Sequence, residues 1–545
     1  ILGIHGYNTT LVRYSVISAP CSFSLEYEPF IAARIHHTVV RANNLFRTQS
    51  SFEDATLYCK PYENIPPLFL KIPGASYEHC PKWYLNFEYL HEYKRGLAYQ
   101  EDLMRLGRFT VSVKENATIL VSASTSDLHK EDLQLLWDQE IARRYNLFDR
   151  ALAKTSREKI LIRAADQFIV RRKDALTSIV AGYPWFTDWG RDTMIALPGL
   201  CLTTGRAEEA REILLAYASY MSFGMIPNRF VDGSGEAEYG SVDATLWWII
   251  ACYKYFQATS DMPFLYNIID KIEEAISWYK KGTRYQIKGN SLDLIEAGDP
   301  TTQLTWMDAR VREYPETPRN GLSVEVNGLW INALFIYAHF LQQKNQVQRA
   351  NEFQERALKA RHNFIHTFWD HENSILFDYI NGDYTDRSIR PNQLIAISLP
   401  FEVVPNEYAE KILVSIEEQL LTQKGIRTLS PKDSRYRSRY CGNVMQRDSA
   451  YHQGTVWPWL LGPYISTLIR VRGQKGREQA SAILNEFLDN EYLNEGCVGT
   501  VSEIFDGDAP HKARGCPAQA WSVGEILVAL MQTYVSDDRA KRQLV

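Results

Sequence analysis

The chain has 545 residues, with 60 Lys plus Arg against 65 Asp plus Glu, and is 45% hydrophobic, enough to bury more than one domain-sized core. Such a composition excludes disorder, collagen and coiled coil. A formal charge of -5, with both signs scattered along the chain, gives no broad basic surface and argues against a nucleic-acid partner.

The first residue is Ile1 rather than Met, and a strand-like pattern begins at once, so the sequence is expected to start inside a longer chain. From Asn8 to about Thr125 the runs are short and rich in β-branched and aromatic residues, as in TTLVRYSVISA, CSFSLEYEPFI, PLFLKI, KWYLNFEYL and RFTVSVKENATILVSA. Their imperfect alternation predicts an N-terminal β-sandwich over 1–127, incomplete at its start. Next comes DLHKEDLQLLWDQEIARRY, whose apolar residues recur at three and four positions, predicting a linker helix over 128–146. The rest, 147–545, is helical throughout, in segments near 147–171, 191–203, 206–221, 241–258, 261–282, 321–343, 347–368, 391–400, 405–422, 453–470, 474–489 and 518–534.

Connections between these segments alternate. Those entering the odd-numbered helices are brief, whereas those entering the even-numbered ones are long and crowded with Trp, Tyr, Asp, Glu, Arg and Gly. A repeated hairpin with polar residues gathered at one kind of connection predicts a mainly α protein, an (α/α)6 toroid with inner helices that all begin at one face. A linear solenoid would explain the pairing too, but it demands a residue-level repeat of fixed length, and none is visible.

Six clusters carry the chemistry: 183–200 (YPWFTDWGRDTMIALPGL), 226–248, 304–311 with 318–330, 390–393, 447–459 (RDSAYHQGTVWPW) and 501–522. The first sets Trp185, Asp188, Trp189, Arg191 and Asp192 around a helix start. Indole faces stack on the C–H faces of sugars, and carboxylates and guanidinium bond to hydroxyls, so this mixture suits a carbohydrate pocket. The plainer explanation is capping Asp and core-filling Trp residues. Converging loops would make one funnel with many acids, few lysines and several Trp rings, the profile of a site for a neutral polyol.

Glycosidic cleavage needs one carboxyl kept protonated and a second kept ionised. Asp243, flanked by apolar and aromatic residues in VDATLWW, suits a desolvated general acid; its alternative role is an N-cap. Glu503, in VSEIFDG on the last long loop, suits the base; its alternative is a surface salt bridge. Glu236, Glu238, Asp308, Glu325, Asp506 and Asp508 compete, and spacing alone does not rank them. His452 and Gln453 suit orienting sugar hydroxyls, with Trp457 beside them. Asp506 and Asp508 resemble a fragment of a calcium loop that lacks its other oxygen ligands, and no HExxH, CxxC, P-loop or GxSxG signature occurs. No metal and no cofactor are expected. The eight cysteines are dispersed and read as reduced thiols. No apolar run reaches the roughly 18–20 residues that cross a bilayer, so the protein is expected to be cytoplasmic, without a membrane partner.

At PWFTDWGRDTMIALPGL, DATLWW, TWMDARV with TPRNG, YHQGTVWPW and SEIF to QAWSVGEIL, the sequence resembles the amylo-α-1,6-glucosidase domain of glycogen debranching enzymes, over roughly 130–535. Its β-rich segment resembles the N-terminal domain of the bacterial and archaeal forms. The resemblance implies a toroid related to glucoamylases and an inverting glycoside hydrolase of glycogen catabolism. It would release glucose from α-1,6 branch stubs of glycogen or limit dextrin. It implies Asp243 as general acid, Glu503 as general base, and Arg191 and Asp192 holding the terminal glucose. Trp189, Trp306, Asp308, His452 and Trp521 would form the pocket wall. The glucanotransferase barrel of the large eukaryotic enzymes has no counterpart here, so transferase activity is not expected. Two other readings stand beside this one. The first is an exo-glucosidase of another linkage, or a glycoside phosphorylase, on the same fold; the second is a non-catalytic glycan-binding scaffold.

Overall fold

The structure, a computed structural model, describes residues 1–172, 176–231, 236–489 and 495–534. Residues 232–235 of the cluster at 226–248, and everything beyond 534, lie outside the described residues. The chain divides into two compact units, Ile1–Leu147 and Phe148–Val545.

The first unit is built on two antiparallel sheets. In one, the strand order is Leu2–Gly3, Thr9–Ser15, Thr118–Ser124, Leu68–Lys71, Thr56–Cys59 and Ser50–Glu53. The other is organised about the long strand Gln100–Val113, with Ser76–Glu88 on one side and Phe23–Tyr27 and Phe30–Ile31 on the other. Leu57, Cys59, Leu70 and Ile119 from the first sheet share a core with Met104, Phe109, Val111 and Val113 from the second. The alternation in Gln100–Val113 slips by one residue between Leu106 and Phe109. Gly107 lies at the slip, opposite His79, where the partner strand bulges. A helix, Leu133–Arg150, follows; its Leu133 and Trp137 pack with Leu2, Leu11 and Leu120.

In the second unit two sets of helices alternate along the chain. The first set comprises Gly190–Leu197, Ala244–Thr259, Val324–Gln343, Asn392–Ile397, the helix beginning at Leu461, and Ala520–Gln532. Each packs on the next, and Ala520–Gln532 packs back on Gly190–Leu197, so the six close a circuit. These helices are buried on nearly all sides, which is why their sequences are apolar without a polar stripe. Val324–Gln343 is long and apolar enough to cross a membrane by composition, but 89% of its most apolar window is buried within the protein, as in a core helix.

The second set is Ser156–Phe168, Ala207–Ser219, Met262–Lys281, Val347–Phe368, Asn406–Gln419 and the part of Leu461–Asp489 beyond Gly473. These are amphipathic. Val347–Phe368, for example, buries Ala350, Ala357, Ala360, Phe364 and Phe368 on one stripe. Gly473 (φ 57°) breaks Leu461–Asp489 into two helices, as the sequence pattern anticipated. Long connections carrying short strand pairs precede the helices of the first set, and these connections hold the polar clusters.

The circuit closes where two glycines cross. A Cβ on Gly199 would lie 1.9 Å from the carbonyl oxygen of Gly524, so Pro198–Leu202 approaches Ala520–Gln532 backbone to backbone. Replacing Gly199 by Ala is expected to cost about 1–3 kcal/mol through overpacking. Calorimetry should show the unfolding midpoint of the variant lowered by roughly 2–6 °C.

Candidate active site

The site begins at the N-terminus of Gly190–Leu197. Gly190 allows the chain at Pro227 to approach, since a Cβ there would meet the Pro227 carbonyl at 2.1 Å. The Gly190 N–H donates to the Asn228 carbonyl at 2.9 Å. This contact sets the Arg191 side chain inward, where it is almost fully buried. Its Nε donates to both oxygens of Asp243, at 2.8 and 2.9 Å, and its Nη1 to Oδ2 of Asp308 at 3.0 Å. Its Nη2 reaches Ser241 Oγ at 3.3 Å and the Leu304 carbonyl at 3.4 Å. Ser241 Oγ in turn donates to Asp243 Oδ1 at 2.6 Å and accepts from the Ala244 N–H at 3.1 Å. Burial disfavours the Arg191 cation, yet Asp243, Asp308 and Asp192 together hold its proton affinity above the usual guanidinium range.

Three carboxyls share the space around this guanidinium. Burial pushes Asp192 up to about 8; Arg191 opposes the shift, while Asp308 and Glu503 add to it. Burial also raises Asp308 above the ordinary carboxylate range, against Arg191, and Asp243 adds repulsion. Asp308 keeps a third of its side-chain surface open, whereas the Asp243 side chain is 1% exposed. Glu503 is buried. Its Oε1 accepts from the Tyr451 hydroxyl, and its Oε2 from the Cys516 N–H at 2.7 Å. Burial and the Glu503 charge push the Tyr451 phenol well up, so it remains a donor. The charges of both Glu503 and Asp308 act on Tyr451, as they do on Asp192. Short strand pairs join these loops, Val456–Trp457 to Ile504–Phe505 and Ile504–Phe505 to Ala513–Arg514.

The structure separates the residues anticipated from sequence into two groups. Arg191, Asp192, Asp308 and Glu503 converge. Asp243 joins them from behind, as the partner of Arg191. Its burial matches the expectation; Arg191 Nε donates to both of its oxygens and Ser241 Oγ to one. Glu325 is buried in an ion pair with Arg319, which also binds Asp378. Gln453 has both ends committed, accepting from Arg390 at 2.8 Å and donating to the Glu316 carbonyl at 3.2 Å. Asp188 accepts from Arg172 at 2.8 Å and from Ser178 at 3.0 Å. Asp506 is paired with Arg514 at 3.0 Å.

The expected aromatic wall is a packed cluster. Trp306 meets Trp457 and Trp459 edge-on, each at 5.3 Å, and Trp521 stacks on Trp459 at 5.2 Å. Trp306 Nε1 donates to Asn392 Oδ1 at 2.6 Å. These rings spend their faces on one another. His452 is fully buried and stacks on Trp457 at 5.3 Å; burial, then the charges of Arg390, Arg191 and Arg319, hold its imidazole well below its usual value. Trp185 and Trp189 are only half-buried, and the guanidinium of Arg229 lies over the Trp189 ring at 5.4 Å. Sequence reasoning missed Tyr451, Ser241 and Asn392. Tyr451 adjoins His452 in a turn, where neighbouring side chains diverge, and no periodicity announces which one faces the acids. A small pocket lined by Leu304, Thr305, Met307, Thr317 and Arg319 includes none of Asp192, Asp308 and Glu503.

Comparison with known proteins gives this arrangement a class. Residues 163–528 match the family described as amylo-alpha-1,6-glucosidase, and the chain belongs to that family, a class of glycoside hydrolase. Residues 1–120 match the family described as glycogen debranching enzyme N terminal. Among curated proteins it is similar to a glycogen debranching enzyme of Saccharomyces cerevisiae (strain ATCC 204508 / S288c), 26% identical over 452 residues. That alignment covers 63% of this chain and 29% of the yeast protein, so the chain spans under a third of its relative's length.

Folded Asp192 keeps, up to about pH 8, a proton that the unfolded chain releases near 3.8. Stability should therefore fall as pH rises through that window. Replacing Asp192 by Asn removes the effect. The variant should melt with the wild type near pH 4 and roughly 2–4 °C above it at pH 8, by scanning calorimetry.

Proposed function

We propose that this chain is a glycogen-debranching hydrolase that removes α-1,6-linked glucose stubs by inversion, with Asp308 as general acid and Glu503 as general base. The observation that carries this reading is the difference between these two carboxyls, which arrive on separate loops and act on the same neighbours, Asp192 and Tyr451. Burial biases Asp308 toward the protonated form, and one of its oxygens is free of Arg191. Glu503 is held by two donors and suits deprotonating a water. Such a pair divides acid and base work as glycosidic cleavage requires. In this reading the six-helix circuit is the inner ring of an (α/α)6 toroid, the two sheets of the first unit are a β-sandwich, and the entering loops form the substrate funnel. Trp185, Trp189 and Asp192 line it, and the cluster around Trp306 supports its floor.

The reaction follows from these roles. Asp308 gives its proton to the bridging oxygen as the C–O bond lengthens, and Glu503 removes a proton from a water attacking the opposite face of the sugar. The carboxyl pair returns to its starting state once solvent restores the proton to Asp308 and takes it from Glu503. The family name and that of the yeast relative support glycogen or limit dextrin as the substrate class.

Panose, isomaltose and a phosphorylase limit dextrin should all release glucose without added phosphate, and proton NMR of fresh product should show the β anomer first. An α anomer first, or turnover that requires phosphate, overturns this assignment. Asp308→Asn and Glu503→Gln should each lower kcat by about 10²–10⁴-fold. Since the donor must be protonated, activity should fall as pH rises through the raised Asp308 value, on an alkaline limb that lies above the ordinary carboxylate range.

A further inference from the structure

We propose that Asp243 is a positioning residue that fastens Arg191, and through Arg191 fixes the loop and the carboxyl of Asp308. This rests on the assignment of Asp308 as the proton donor. The geometry is a clamp. One guanidinium edge is closed by Asp243, with both oxygens within 2.9 Å of Nε, and Nη1 contacts Asp308 at 3.0 Å. Nη2 adds the Leu304 carbonyl, four residues before Asp308, and the Val242 N–H bonds to that same carbonyl at 2.9 Å. Asp243 and its neighbours therefore hold the acid's loop at its root as well as at its tip. Lysine could not replace this part, because an ammonium lacks the planar fork that serves two carboxylates and a carbonyl at once.

The clamp also divides the charge of Arg191. Asp243, Asp308 and Asp192 act on it, while Glu503, from the loop at 495–519, acts on Asp192, and Asp308 acts on Tyr451 of the loop at 447–459. Asp243 draws on the guanidinium that would otherwise act on Asp308 alone, and it repels the Asp308 charge directly. Both effects help the donor keep its proton. Removing the Asp243 charge while keeping its shape should weaken the donor's hold on the proton. Removing the Arg191 contact to Asp308 should strengthen it.

The test is the pH dependence of kcat/KM for isomaltose in the wild type, Asp243→Asn and Arg191→Lys, with α-glucosyl fluoride as a substrate whose departure needs no protonation. Asp243→Asn should move the alkaline limb down by about one pH unit and lower isomaltose turnover near neutrality about tenfold, with the fluoride rate changed much less. Arg191→Lys should move the limb upward. Opposite shifts are not produced by loss of structure, and if Asp243→Asn does not fold, the direction in Arg191→Lys decides. An unchanged limb in both variants overturns the clamp. So does an Asp243→Asn enzyme with no isomaltose activity at any pH and a wild-type fluoride rate, which would make Asp243 the donor itself. Asp308→Asn separates this inference from the one beneath it: a wild-type alkaline limb in that variant refutes Asp308 as donor. If the wild type cleaves no α-1,6 substrate, the clamp is read from a crystal structure of Asp243→Asn. Displacement of Arg191 from Asp308 supports it, and unaltered geometry overturns it.

Discussion

A guanidinium buried among carboxylates organises this site. Arg191 is removed from water, which alone would disfavour its charge, and it is retained because Asp243 and Asp308 lie within hydrogen-bond distance. Breaking such a group by removing one partner leaves a buried charge uncompensated, at a cost of about 3–5 kcal/mol. The loop that carries Asp308 and the start of Ala244–Thr259 are thus constrained by the same ion that the helix Gly190–Leu197 presents. Asp308, Asp192 and Glu503 differ because of this constraint. Asp308 shares the cation, Asp192 is left to burial and like charge, and Glu503 is satisfied by Tyr451 and Cys516 instead.

A second buried network supports the first. Arg319 binds Glu325 and Asp378, Asp378 accepts from Asn392 at 2.6 Å, and Asn392 accepts from Trp306, two residues before Asp308. The indole cluster of Trp306, Trp457, Trp459 and Trp521 packs beside these groups. Polar groups so deep in a protein are costly unless partnered, and Arg319, Asp378, Asn392 and Trp306 take their partners from different loops. Satisfying them sets how those loops meet.

Much of the fold was legible in the sequence because its helices repeat one local signal. The amphipathic stripe of Met262–Lys281 and of Val347–Phe368 falls within two residues of the ranges that periodicity predicts, and the break at Gly473 is marked by its own residue type. The strands Ser50–Glu53 and Thr56–Cys59 were not singled out, since SSFEDATLYC mixes charge with β-formers and Ser50–Glu53 is largely exposed. In the site, the loops that converge could be named, but not the side chains that meet around Arg191. Asp243 and Asp308 both stand near a Trp and an apolar run; only the placement of Arg191 distinguishes the carboxylate it encloses from the one it leaves open. The same holds for Glu325, which spacing placed with the acids and Arg319 withdraws.

The crossing of Gly199 and Gly524 bears on how the protein is made. It joins an early helix of the circuit to the last, and the pairing of Gly182–Tyr183 with Ala518–Gln519 does the same for the strands beside it. Glu503 and the Cys516 N–H that holds it belong to that same late stretch. A chain emerging in order can stack Gly190–Leu197 and the helices that follow it, yet both the seam and the Cys516 N–H that holds Glu503 wait for the stretch around Ala520–Gln532. The hold on Glu503 and the closing of the helical circuit thus depend on one late-synthesised segment.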